Sequence, residues 1–91
     1  MIAVIFKAEL GKPDDEYYRF AKRLRDLAKS EYGCIDLISV CENGTELTIS
    51  YWNSLIDIEL WKSDPEHRYA QSQGIAKWYR SYSVELAEVL E

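Results

Sequence analysis

Asn43-Gly44 lies between two apolar runs, Cys34 to Cys41 and Leu47 to Trp52. Both residues tolerate positive φ, so the pair reads as the tight turn of a β-hairpin and commits its flanks to antiparallel pairing. In the second flank Leu47, Ile49 and Tyr51 share one face, and Thr48, Ser50 and Trp52 share the other. Such a hairpin is not stable alone and needs more strands or a covering helix.

The rest of the chain supplies both. Ile2, Val4, Phe6, Ala8 and Leu10 alternate with Ala3, Ile5, Lys7 and Glu9, the period of a strand. Gly11-Lys12-Pro13-Asp14 is a turn, and Asp14 or Asp15 can cap the next helix. Tyr17, Phe20, Ala21, Leu24, Leu27, Ala28 and Tyr32 fall at helical spacing, and Gly33 fits the stop. After the hairpin, Asn53 or Ser54 caps a short helix carrying Leu55, Ile58 and Trp61. Asp64-Pro65 breaks it and starts another helix, running to about Gln73, because proline suits the first helical position and aspartate accepts from free N–H groups one turn on. Tyr82 to Leu90 is expected as a final strand with a bulge near Ala87.

The order β-α-β-β-α-β predicts an α+β, ferredoxin-like domain over residues 1–91: a four-stranded antiparallel sheet with its helices on one face. Helices can cover only one face, yet Ala3, Ile5 and half of the Cys34–Cys41 run are apolar on the other. A symmetric homodimer with two sheets packed face to face would bury them.

Composition narrows the partners. The chain has 11 Lys and Arg against 16 Asp and Glu, a net charge of −5, which disfavours nucleic acid and anionic membranes. Lys22, Arg23, Arg25 and Lys29 fit the solvated face of a helix. No targeting or spanning segment is expected. Cys34 and Cys41 have no metal-ligand spacing and are expected as two buried thiols in a reducing cytoplasm.

Chemistry concentrates in Trp61-Lys62-Ser63-Asp64-Pro65-Glu66-His67-Arg68 and in Trp78-Tyr79. This stretch holds the only histidine, placed in the first turn of a helix near an indole. Together with Tyr51-Trp52-Asn53-Ser54, Gln71, Gly74 and Tyr82, it resembles the antibiotic biosynthesis monooxygenase family, small dimeric α+β-barrel proteins. The resemblance implies a ligand cavity between sheet and helices, with Trp61, His67 and Trp78 on or near its wall and Trp52, Tyr79 and Tyr82 as further substrate-binding candidates. It also implies a reaction: oxidation of an aromatic, quinol- or anthrone-like molecule by O₂ without a cofactor. His67 would be the base, since its ordinary pKa lies nearest neutrality, and Tyr51 or Tyr82 would donate to the developing anion. Related haem-degrading proteins use an asparagine on the first strand and a histidine ten residues after the tryptophan. Here Gln71 stands at that position after Trp61 and the first strand has no asparagine, so haem degradation is not expected. The alternative is a non-catalytic dimeric domain that binds a hydrophobic small molecule, with Trp61 filling a core and His67 serving the helix start.

Overall fold

The computed structural model describes residues 1–90. Its strands are β1 (Ile2–Leu10), β2 (Asp36–Glu42), β3 (Thr45–Trp52) and β4 (Tyr79–Glu88). The helices are α1 (Asp15–Glu31), α2 (Leu55–Lys62) and α3 (Pro65–Gln73), and α3 runs directly into a π-helical turn at Gly74–Trp78. The sheet is antiparallel throughout, in the order β2-β3-β1-β4. This is the ferredoxin-like plan, with one helical crossover built from two segments.

Local chemistry sets the boundaries. Asp14 caps α1 by accepting from Tyr17 N at 2.9 Å. Ser54 caps α2, accepting from Asp57 N at 3.3 Å. Gly33, just past α1, has φ +78°, a conformation that glycine adopts without steric penalty. Asn43 and Gly44 both have positive φ, 53° and 80°, as a tight hairpin turn requires.

Cross-strand register divides the sheet into two faces. Ile2, Val4, Phe6 and Ala8 lie level with Trp52, Ser50, Thr48 and Glu46 on the face beneath the helices. On the opposite face Ile38, Ile49 and Ile5 form one row across three strands, and Val40 and Leu47 lie next to it. Ile38 is 53% exposed and Val40 55% exposed, so the apolar outer face expected from sequence is open in the single chain.

Three expectations are corrected. β2 starts at Asp36, which leaves Cys34 on the preceding loop; Cys34 is buried but Cys41, near the end of an edge strand, is exposed. β4 starts at Tyr79, three residues early, because the π turn feeds straight into the sheet. Its irregularity falls where Glu9 pairs with Ser81 and Leu10 with Tyr79, leaving Arg80 as the extra residue. Ala87 instead pairs regularly with Ala3. Val84 and Leu86 alternate regularly onto the face beneath the helices, level with Phe6 and Val4, so the register there needs no bulge.

Candidate functional site

Two core clusters lie side by side under the helices. One gathers Ala8, Leu10, Tyr17 and Trp78, with Phe6, Phe20 and Tyr79 against it. The other gathers Ala28, Cys34, Trp52 and Ile58, with Val4, Leu37 and Trp61 against it. Between sheet and helices is a partly open cavity of about 180 Å³, walled by members of both clusters. It exceeds the ~150 Å³ engineered cavity that binds benzene and falls short of the ~300–1,000 Å³ of drug-sized pockets. One substituted aromatic ring fits it. Val4 and Phe6 on β1 and Val84 and Leu86 on β4 make part of its floor apolar, whereas Ser39 on β2 and Glu46, Thr48 and Ser50 on β3 make the rest polar.

The start of α3 positions the histidine. Asp64 Oδ1 accepts from Glu66 N at 2.8 Å and His67 N at 3.2 Å, while Oδ2 accepts from the Tyr32 hydroxyl at 2.5 Å. The Tyr32 bond is the main reason that the Asp64 carboxyl is held below its ordinary pKa, and the two N–H bonds add to it. Arg23 on α1 donates to Glu66 in a two-point fork, at 2.9 and 3.0 Å, which ties α3 to α1. The junction is therefore fixed by bonds to α1, to the segment after it and to the α3 backbone. None of them uses the imidazole.

That ring stands edge-on to Trp61, with centroids 4.5 Å apart and an angle of 69° between the planes. Burial pushes its pKa below the ordinary histidine value, opposed by Asp64 and reinforced by Lys62. His67 is thus neutral near pH 7. Its Nδ1 is buried and has no hydrogen-bond partner among the described residues. With the ring proton on Nε2, Nδ1 is a free acceptor at the cavity wall.

The structure brings Trp61, His67, Trp78 and Tyr79 to one cavity. It does not bring the other candidates there. Trp52 is fully buried between sheet and helices but does not line the cavity; its Nε1 donates to Ser50 Oγ at 2.9 Å. Tyr82 stacks on Phe6 at 6.2 Å and remains 41% exposed, off the wall. Tyr51 lies level with Ala3 on the outer face, so it cannot donate to anything in the cavity. Arg68 is exposed, and Gln71 borders the cavity.

Sequence reasoning passed over Glu46. It is on the same β3 face as Trp52 and lines the cavity, where burial raises its pKa above the ordinary carboxyl value against the bond from Thr48. The signal was available in the period-two register, two and four residues before Thr48 and Ser50. Its neighbour Tyr79 has its own pKa raised, by burial first and by Glu46 second.

Gly74 sets the position of Tyr79. A Cβ added at Gly74 would come within 2.3 Å of the Tyr79 ring, although the backbone φ there suits any residue. Gly74→Ala is therefore expected to push the Tyr79 ring aside, at a cost of about 1–3 kcal/mol as in other overpacked sites. Denaturant unfolding checks it; an unchanged midpoint would mean that the ring yields freely.

Comparison with known proteins places this architecture. No family model matches the chain. A crystal structure of an antibiotic biosynthesis monooxygenase superposes with a TM-score of 0.84 at 16% identity, over 100% of both chains. SnoaB, a cofactor-independent oxygenase from Streptomyces nogalater, superposes with a TM-score of 0.81 at 10% identity, over 99% of this chain and 93% of that one. What the chain shares with these proteins is the fold, a ferredoxin-like domain. The sequence relationship is nearer to the uncharacterized protein YqjZ of Bacillus subtilis, 38% identical over 88 residues, which are 96% of this chain and 77% of that protein. The chain belongs to the YqjZ family. Among the described residues no helix is long and apolar enough to cross a membrane, and no three His, Cys, Asp or Glu side chains gather as metal ligands.

Proposed function

We propose that the protein is a cofactor-independent monooxygenase that oxidises a small quinol-like aromatic with O₂. The observation that carries this reading is the His67 Nδ1, buried and unpartnered, with its ring against Trp61 on the wall of a largely apolar cavity. The likeness to SnoaB supports the class of reaction. In the proposed step the quinol O–H breaks and its proton passes to Nδ1, leaving an electron-rich anion in a site that excludes most water. The anion supplies the electrons that reduce O₂. One oxygen atom enters the ring and the other leaves as water, so quinol and O₂ give a hydroxyquinone and water. Trp61 offers an aromatic face to the substrate. A tricyclic anthrone would fill the cavity and project through its open side.

The haem alternative fits poorly. The cavity is too small to take in a porphyrin whole, and Gln71, beside it, is a poor substitute for imidazole as an axial ligand. Non-catalytic binding of a hydrophobic molecule is the second reading. It is favoured by Trp78, which is 2% exposed and packs edge-on against Tyr17 at 5.5 Å, as a core residue would with or without a ligand.

The test is oxygen uptake by metal-free protein with a panel of quinols and anthrones, beside a haem titration followed by absorbance. Uptake above autoxidation supports the monooxygenase. Ligand binding without uptake favours the second reading, and a Soret shift favours haem.

The working unit is proposed to be a homodimer joined through the outer sheet face. Ile38 is over half exposed in the single chain, so lysine there leaves the subunit fold intact but places a charge in the proposed interface. Ile38→Lys is expected to convert a dimer to a monomer in sedimentation equilibrium; a wild type that is already monomeric would refute the dimer. Two free thiols suit the reducing cytoplasm proposed as its compartment.

A further inference from the structure

The cavity has two polar ends, and only the His67 end is used in the reaction above. The other lies where β3 meets the Trp78 cluster. Glu46 lies level with Ala8, and Ala8 packs with Trp78 and Tyr79. Thr48 Oγ1 donates to Glu46 Oε2 at 3.1 Å, and Ser39 and Thr48 share a hydroxyl–hydroxyl bond of 2.8 Å. Thr48 has a single proton and gives it to the carboxylate, so Ser39 must be the donor in the second bond. The result is a directed chain, Ser39 to Thr48 to Glu46, with all three side chains on the cavity floor.

This chain leaves lone-pair capacity unused. A carboxylate can accept about four hydrogen bonds, and Glu46 takes one from a side chain. Trp78, which also lines the cavity, has a buried Nε1–H with no acceptor among the described residues. A hydroxyl bound at this end could donate to Glu46. A methyl group could not.

We propose that Glu46, braced by Thr48 and Ser39, is a hydroxyl-recognition site that selects phenolic or quinolic ligands over apolar aromatics of the same shape. The inference rests on the reading that the cavity takes an aromatic small molecule, but not on catalysis. It assigns the two hydroxyls of a quinol to separate ends, one to Glu46 and one to His67. Burial already disfavours the Glu46 charge, so a donor from the ligand is worth more there than at the surface.

The experiment compares phenol with toluene, which differ by hydroxyl against methyl, by isothermal titration at neutral pH. The wild type, Glu46→Gln and Thr48→Val are measured. Glu46→Gln keeps the shape and removes the charge that burial penalises, so its melting temperature should hold or rise. The ratio of phenol to toluene affinity is expected to fall about tenfold in Glu46→Gln, the scale for losing a hydrogen bond to a charged group. Thr48→Val, which loosens the carboxylate, should lower it less. An unchanged ratio in both variants, with both compounds still bound, would overturn the inference and leave the cavity reading standing. Failure of the wild type to bind either compound would overturn both.

Discussion

Trp52→Ala is expected to cost about 3–5 kcal/mol of folding stability, the range for removing a large buried aromatic. Trp52 is fully buried, packed among Ala28, Cys34 and Ile58. Its loss would open a void between sheet and helices and strip Ser50 of the indole donor at 2.9 Å. A domain of this size has roughly 5–14 kcal/mol in total, at ~0.05–0.15 kcal/mol per residue. The substitution therefore removes a large part of what holds the fold. Urea unfolding followed by far-UV circular dichroism measures it without relying on the indole signal that the mutation changes. Trp61→Ala makes the informative comparison. Trp61 is only partly buried and borders an existing cavity, so its removal enlarges a space instead of creating one. Equal losses at the two positions would show that Trp61 is as much a core residue as Trp52, and would weaken its assignment to a ligand site.

His67→Ala is expected to lower turnover by about 10²–10⁴-fold, the usual contribution of a positioned base, with the fold intact. The helix start survives because Asp64 accepts from the backbone N–H of residue 67, which alanine retains, and its other bonds run to Glu66 N and to Tyr32. The pH profile gives the more specific test. Burial lowers the His67 pKa, Asp64 partly restores it and Lys62 lowers it further. The active neutral ring therefore persists to below the ordinary histidine value of about 6.5. Turnover should rise with pH through a step on the acid side of that value and then level off. His67→Ala should lose the step along with the rate. Stability follows the same sign. An unfolded chain binds the proton more readily than the folded one between the two pKa values, so this residue lowers stability as pH falls through that window. A variant that keeps both wild-type turnover and the step would remove His67 from the chemistry.

Much of the architecture was legible in local patterns, for definite reasons. Asn43-Gly44 dictated the hairpin because few other pairs tolerate two consecutive positive φ values. Asp14 or Asp15, Asn53 or Ser54, and Asp64 marked three helix starts, since each is a short acceptor placed just before a helical period, and the structure uses Asp14, Ser54 and Asp64 as the caps. The surplus of apolar residues on two sheet faces also pointed to an open outer surface, and Ile38 and Val40 provide it. Where the patterns misled, a tertiary partner decided. The early start of β4 depends on the π turn and on the pairing of Tyr79 with Leu10, which lie far apart in the chain.

The site divides along the same line. Sequence by itself determined that His67 would stand in the first turn of a helix within reach of Trp61, because the Asp64-Pro65 boundary and the six-residue spacing are both local. Only the tertiary structure decided which aromatics face a cavity. Trp52 and Trp61 look equivalent in the chain, yet one is sealed against Ser50 and the other borders open space, since their surroundings come from α1 and β1 as well as from their own segments. Glu46 shows this most clearly. A glutamate two residues past a hairpin turn is ordinarily solvated, yet Glu46 lines the cavity with Tyr79, which lies more than thirty residues further along the chain. Periodicity assigns a side chain to a face; what covers that face is fixed by packing between segments distant in sequence.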